Sequence, residues 1–161
     1  MVLPVIILVL SSAKPISPEP NVDFSAAENE TNFKFKSLYC WKFIKFIEWP
    51  SSYQQGDFEI EILGDSPIQK YFEEWQLGRK VNLQNIKVKK VSSPSSVQKP
   101  HIIYIPLERS KDIGTVVKKL AGKSSLIITE KEGMANQGSM INFIVVNSRV
   151  RFEINKGNAA K

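Results

Sequence analysis

The sequence predicts an α/β fold: a mostly parallel sheet with flanking helices, closed by a C-terminal antiparallel hairpin, in a single domain. Three observations carry this. Short apolar or alternating runs ("DFEIEILGD", "NIKVKKV", "HIIYIP", "SLIIT") are separated by stretches with helical spacing, and strands alternating with helices imply parallel pairing through crossovers. The runs "GSMINFIVV" and "RVRFEI" meet across Asn147-Ser148, which is hairpin spacing. Finally, 161 residues of ordinary composition, 42% hydrophobic and 24% charged, suit one core.

Taken in order, the chain opens on "MVLPVIILVL", an uncharged apolar run followed by Ser11, Ser12 and Ala13. It is far shorter than the roughly 20 residues that span a bilayer. It fits the apolar heart of a secretory signal, with Ser11 and Ala13 placed for cleavage before Lys14. Residues 1–13 are therefore expected to be a signal peptide, and the exported chain to have no membrane span of its own. Residues 14–32, rich in Pro, Ser, Asn and Glu without apolar period, read as a flexible leader. Order is expected to begin near Phe33, in a domain covering 33–161.

Phe33 to Trp49 is apolar almost all round, with a narrow polar stripe of Lys34, Ser37, Lys45 and Glu48. A helix of that pattern is buried on more than one side, and Pro50 ends it. Phe58, Ile60 and Ile62 alternate with Glu59 and Glu61, a period-two strand. "DSPIQKYFEEWQLG" carries Asp65 or Ser66 at a cap, Pro67 in the first turn and Gly78 beyond the end of a helix. "NIKVKKV" is a second strand, and Ser92 to Lys99 a polar connection with room for one helical turn. "HIIYIP" is a dense buried strand, Arg109 to Ala121 a third helix and "SLIIT" a further strand. Glu59 and Glu61 pose a problem: on a central strand, a helix-covered face tolerates carboxylates only with partners or partial opening.

Chemistry is sparse. His101 is the only histidine and Cys40 the only cysteine, so a zinc site of ordinary ligands cannot be assembled and no intramolecular disulfide can form. No "GxSxG" turn or glycine-rich phosphate loop occurs. Glu73-Glu74 and Glu130/Glu132 read as solvated acids, and Cys40 as a small core residue. The sequence thus predicts no catalytic residue, metal or cofactor. A net charge of +6, nearly all lysine, with arginine only at Arg79, Arg109, Arg149 and Arg151, argues against base reading and nucleic acid as partner. In a sheet of this type ligands settle beyond the carboxyl ends of the strands, where strand order reverses. Gly64, Asp65, Ser66 and Thr129, with Pro106 nearby, are the residues such a crevice would use.

The segments "FIKFIEWP", "FEIEILGDSPI", "LGRKVNLQNIKVKKV", "HIIYI", "GMANQGSMINFIV" and "RVRFEIN" together resemble, in order and spacing, the YfiR-like family of small bacterial periplasmic proteins. The resemblance runs from about Phe33 to Ala160. It implies a non-catalytic periplasmic regulator, often a homodimer, that binds and restrains an inner-membrane signalling protein. In the best-known system that partner is a diguanylate cyclase, and its release raises cyclic di-GMP and favours biofilm. The family's "KFxEWP" signature lands on Lys45, Phe46, Glu48, Trp49 and Pro50. "LGD" with its proline lands on Leu63, Gly64, Asp65 and Pro67, "GxMIxF" on Gly138, Met140, Ile141 and Phe143, and "RFEIN" on Arg151, Phe152, Glu153, Ile154 and Asn155. Two departures stand out. The disulfide cysteines of the best-known member are absent, and relatives usually continue past the position of Lys161 through another helix.

Lys45, Glu48, Trp49, Pro50, Arg151, Glu153 and Asn155 are accordingly expected to form signature structure or partner surface. The "EWP" element is expected to lock the helix exit, with the Trp49 indole N–H donated to a fixed acceptor and Lys45 reaching Glu48. The alternative reading is a periplasmic small-ligand receptor feeding a sensor kinase or transporter, with its crevice at Gly64, Asp65, Ser66 and Thr129.

Overall fold

A computed structural model of the chain describes the backbone of residues 24–159 and side chains from Glu28 onward. The expected signal peptide, 1–13, and most of the expected leader lie outside the described residues. Four helices, α1 (Phe24–Phe46), α2 (Ile68–Gln76), α3 (Ile113–Lys119) and α4 (Lys156–Ala159), accompany seven strands. These are β1 (Phe58–Leu63), β2 (Lys80–Val81), β3 (Gln84–Val91), β4 (Ile102–Ile105), β5 (Leu126–Thr129), β6 (Ile141–Val146) and β7 (Arg149–Ile154). They form one sheet of order β2-β3-β1-β4-β5-β6-β7. The pairs β1/β3, β1/β4, β4/β5 and β5/β6 are parallel, while β2/β3 and β6/β7 are antiparallel.

The hairpin is the one the sequence implies. Asn147 and Ser148 take φ 49° and 56°, the left-handed pair of a two-residue turn whose twist matches the flanking strands. The sheet is covered on both faces. α1 and α2 pack on one, where Cys40, Ile44, Phe72 and Trp75 meet Phe58, Ile60, Ile62, Tyr104, Ile128 and Phe143. α3 and the 92–99 connection cover the other, where Val97, Ile113, Val116 and Leu120 meet Leu63, Ile103, Ile105 and Ile127. Both faces being dry explains why β4 is buried at all four positions and reads as a continuous apolar run. From Phe33 onward α1 is apolar nearly all round because it touches both the sheet and α2, where the Trp41 and Trp75 rings meet at 57° with centres 5.3 Å apart.

Several boundaries differ from expectation. α1 starts at Phe24, so residues 24–32 are helical turns rather than leader: Glu30 bonds Lys70 (2.6 Å) and its carbonyl accepts from the Tyr71 hydroxyl (3.1 Å). α1 also stops at Phe46, short of Trp49, because Trp49 leaves the helix to bury beneath the amino ends of the strands. The third helix opens as a 3₁₀ segment, Leu107–Asp112, before α3. The short strand β2 was not expected; a left-handed Asn82, φ 53°, turns it back onto β3. Cys40 is fully buried, and burial pushes its thiol pKa up.

The two carboxylates of β1 are handled differently. Glu59 pairs with Lys89 on the neighbouring strand at 2.7 Å. Glu61 is 2% exposed and its Oε2 has no hydrogen-bond partner among the described residues. Burial raises its pKa, against a partial counter-effect from the Gln98 backbone N–H. A carboxyl whose folded pKa is raised favours folding fully below its unfolded pKa of about 4.3. That contribution is lost as pH rises through the folded value. Glu61→Gln cannot titrate, so its stability relative to the parent should climb as pH rises above about 4 and level off once the folded pKa is passed. Urea midpoints of both proteins across pH 4 to 8 measure it; a constant difference would show that Glu61 is not perturbed.

Candidate functional site

The signature at the end of α1 builds the amino-end floor of the sheet. Trp49, 6% exposed, lies edge-on to Phe58 (5.4 Å) and His101 (5.2 Å) and stacks on Tyr53 (6.2 Å). Pro50 at φ −57° leads into the 3₁₀ turn Ser51–Tyr53 that brings Tyr53 back, and Gln54 Nε2 donates to the Trp49 carbonyl at 2.6 Å. Trp49 Nε1 finds no acceptor among the described residues, contrary to expectation. Its box is made of aromatic edges, so packing rather than a hydrogen bond holds the ring. An orphan of that kind costs about 1–3 kcal/mol.

His101 is the hub. Its Nδ1 accepts the Glu59 backbone N–H at 3.0 Å, which leaves Nε2 to carry the proton and donate to the Tyr53 carbonyl at 2.6 Å. The imidazole is therefore held neutral, and burial lowers its pKa. Gln84 Nε2 donates to the same Tyr53 carbonyl (3.0 Å). Both ring nitrogens of the sole histidine are used structurally, and among the described residues no nucleophile hydrogen-bonds to it.

The signature then divides. Glu48 and Pro50, both exposed, line a groove of about 360 Å³ with Trp49, Lys123, Ser124 and the "GxMIxF" residue Met140. Gly138 of that element sits at φ 113°, where a Cβ would fall 2.5 Å from Val117, so only glycine lets α3 pack there. Phe46, the last residue of α1, is 86% exposed. Lys45 does not reach Glu48, since the helix ends between them; it lies over the Trp41 ring at 5.5 Å. On β7, Arg151 is exposed and Glu153 accepts from Asn142 Nδ2 at 2.9 Å. Asn155 caps α4, accepting from Asn158 N at 3.0 Å and donating to the Ala135 carbonyl at 2.9 Å.

At the other end of the sheet, strand order does reverse between β1 and β4. The expected crevice residues are not gathered there. Gly64, at φ 82°, is covered by Arg109, whose guanidinium would lie 3.0 Å from a Cβ; Arg109 is itself held by Asp112 (2.7 Å) and the Ser92 carbonyl (3.1 Å). Asp65 points to solvent and pairs with Lys90 at 2.7 Å, and the Ser66 hydroxyl accepts only a 3.4 Å contact from Ile68 N. Thr129 is fully buried between Ser139 (2.8 Å) and Asn142 (2.7 Å). What occupies this end instead is a buried ion pair, Lys36 with Glu130, whose carboxylate also accepts from the Tyr104 hydroxyl (2.9 Å) and Leu107 N (3.1 Å). The sequence reading missed Lys36, which looks like any solvated lysine in "FKFKS", and took Glu130 for a surface acid. Among the described residues no group of three or more His, Cys, Asp or Glu is placed to hold a metal.

Because its folded pKa is depressed, His101 contributes stability that is full above its unfolded pKa of about 6.5 and is lost as pH falls through the folded value. His101→Gln should abolish that acid-side slope and cost about 1–3 kcal/mol at pH 7 by breaking one of the two buried bonds. Melting curves from pH 7.5 to 5 test this; parallel curves for parent and variant would refute it.

Comparison with curated proteins finds no match. No helix among the described residues is long and apolar enough to cross a membrane. The YfiR/HmsC-like family description matches residues 33–161, which takes in the signature at the helix exit, the glycine-locked "GxMIxF" turn and the closing hairpin. The chain belongs to the YfiR/HmsC-like family.

Proposed function

We propose that this protein is an exported, non-catalytic regulator that binds an inner-membrane signalling protein, a diguanylate cyclase, and holds it inactive. The observation that carries the reading is family membership over residues 33–161: the family is one of periplasmic regulators of diguanylate cyclases, regulatory rather than catalytic. The geometry agrees with it. The sole histidine is committed to backbone bonds, and of the ligand-receptor residues Asp65 faces solvent, Gly64 lies under Arg109 and Thr129 is fully buried. The exposed half of the signature, Phe46, Glu48 and Pro50 beside the groove with Lys123 and Met140, is the surface we assign to the partner's periplasmic segment. Its features are those of a contact: an uncovered aromatic anchor, a flanking acid and a neighbouring lysine.

Restraint requires tighter binding to the inactive than to the active cyclase. A differential of about 1–3 kcal/mol shifts the balance of states ~5- to 150-fold. Deleting the gene should raise cyclic di-GMP, and the full gene should lower it again. A version lacking residues 1–13 should not, since the partner segment faces the periplasm. Phe46→Ala with Glu48→Lys should also fail to rescue while melting like the parent, both side chains being exposed. If cyclic di-GMP is the same in all these strains while the protein is made, the cyclase reading is wrong.

A further inference from the structure

The three most exposed large apolar side chains among the described residues are Leu83 at 92%, Leu77 at 87% and Phe46 at 86%; the next, Ile154, is at 53%. A single residue of this kind needs no explanation. These three stand at one end of the molecule. Phe46 is the last residue of α1 and Leu77 the first beyond α2. Leu83 lies in the two-residue loop between β2 and β3, where Val81 pairs with Gln84. Arg79 ties the two helix ends together, its guanidinium 4.9 Å over the Trp41 ring of α1 and 6.0 Å over the Trp75 ring of α2. Lys45 lies over the same Trp41 ring at 5.5 Å. With Lys80 and Asn82 it lines a groove of about 260 Å³ whose lining holds no acidic residue. Lys45, Arg79 and Lys80 are exposed, and none makes an ion pair among the described residues. The stretch Trp75 to Ile86, which carries both leucines, has two cations and no acid.

We propose that this end of the molecule docks on an anionic lipid bilayer, with Leu77, Leu83 and Phe46 inserted among the headgroups and Lys45, Arg79 and Lys80 on the lipid phosphates. Two features select a bilayer. Nearly full exposure makes each apolar side chain a separate projection. A fluid surface takes such projections one by one, whereas a protein partner must supply a fitted pocket for each. The unpaired cations around them complement lipid phosphate, and long lysine side chains keep their charge in the headgroup layer while their stems lie along apolar surface. Helix carboxyl ends attract cations in any case, but that leaves the leucines without a reason. A leucine 92% exposed on a hairpin loop buries almost nothing in the fold, so its apolar surface gains only from contact outside the chain. The attachment is to the surface, since no helix among the described residues is long and apolar enough to cross a membrane. The groove beside Pro50 and Lys123 shares Ile47 and Trp49 with the groove between Lys45 and Lys80. Docking therefore holds the partner contact proposed above close to the bilayer.

Flotation with vesicles of phosphatidylcholine mixed with phosphatidylglycerol tests this. It is done on the full chain and on the chain from Lys14, which contains every described residue, because the apolar run at 1–10 would hold lipid by itself. Both chains should bind the mixed vesicles and let go as salt is raised, and the chain from Lys14 should bind phosphatidylcholine alone far less. A cation near an anionic surface is worth about fivefold in binding, so Lys45→Glu with Lys80→Glu should weaken it by at least about 25-fold. Leu77→Ser with Leu83→Ser should weaken it about tenfold or more, with melting unchanged because both side chains are exposed. Phe46 is left intact, since the proposed partner contact also uses it. The vesicles hold no protein, so the result does not depend on the cyclase reading. No binding by the chain from Lys14 overturns the inference, as does equal binding to the two kinds of vesicle. So does a leucine variant that floats like the parent, and if that variant also fails to lower cyclic di-GMP the surface belongs to a protein instead.

Discussion

The buried pair of Lys36 and Glu130 fixes where α1 lies on the sheet. Their side chains are 9% and 4% exposed, and the carboxylate gathers a lysine from α1, a hydroxyl from β4 and a backbone N–H from the loop after β4. Desolvating two charges roughly cancels their attraction, so such a pair adds little net stability over apolar residues of the same volume. Its effect is on register. A helix apolar nearly all round could slide by a turn and still bury carbon; sliding Lys36 away from Glu130 leaves two charges unpaired in the core. With Lys36 pinned, Trp41 falls against Trp75, Tyr39 and Phe43 fall on Phe143 and Phe152, and the chain leaves the helix where Trp49 can drop under the strands. The aromatic box around His101 closes the opposite end.

This arrangement separates the signature into two jobs. Trp49, with Tyr53, His101 and Phe58, is interior and sets the exit of the chain; only its rim reaches the groove beside Pro50. Phe46, Glu48 and Pro50 are exposed on the same stretch of chain. In the function we propose, an exposed contact anchored to that interior packing meets little ordering cost on binding.

Much of this was legible in the sequence, and the failures have physical causes. Period-two and dense apolar runs located six of the seven strands, because burial on one or both faces imposes those patterns. β2 escaped, having two residues and no period. The N-terminal boundary of α1 escaped because Phe24 to Asn32 is polar and is held by contacts such as Glu30 with Lys70 and Tyr71, which local pattern does not encode. The C-terminal boundary slipped since Pro50 limits only its neighbour, whereas Trp49 was drawn out by burial against residues far along the chain. Strand-end logic placed the order reversal correctly between β1 and β4, but could not foresee Arg109 lying on Gly64. The Lys36–Glu130 pair spans 94 positions, and nothing near either residue announces it.

The claim that one buried pair sets the position of α1 is tested most directly by a double-mutant cycle of Lys36→Met and Glu130→Gln in urea unfolding. Each single change leaves a buried charge unpaired and should cost about 3–5 kcal/mol. The double variant should recover much of that loss, giving a coupling of at least about 2 kcal/mol. Single costs below about 1 kcal/mol, or costs that simply add in the double variant, would mean that the two side chains do not act on each other and that something else holds the helix.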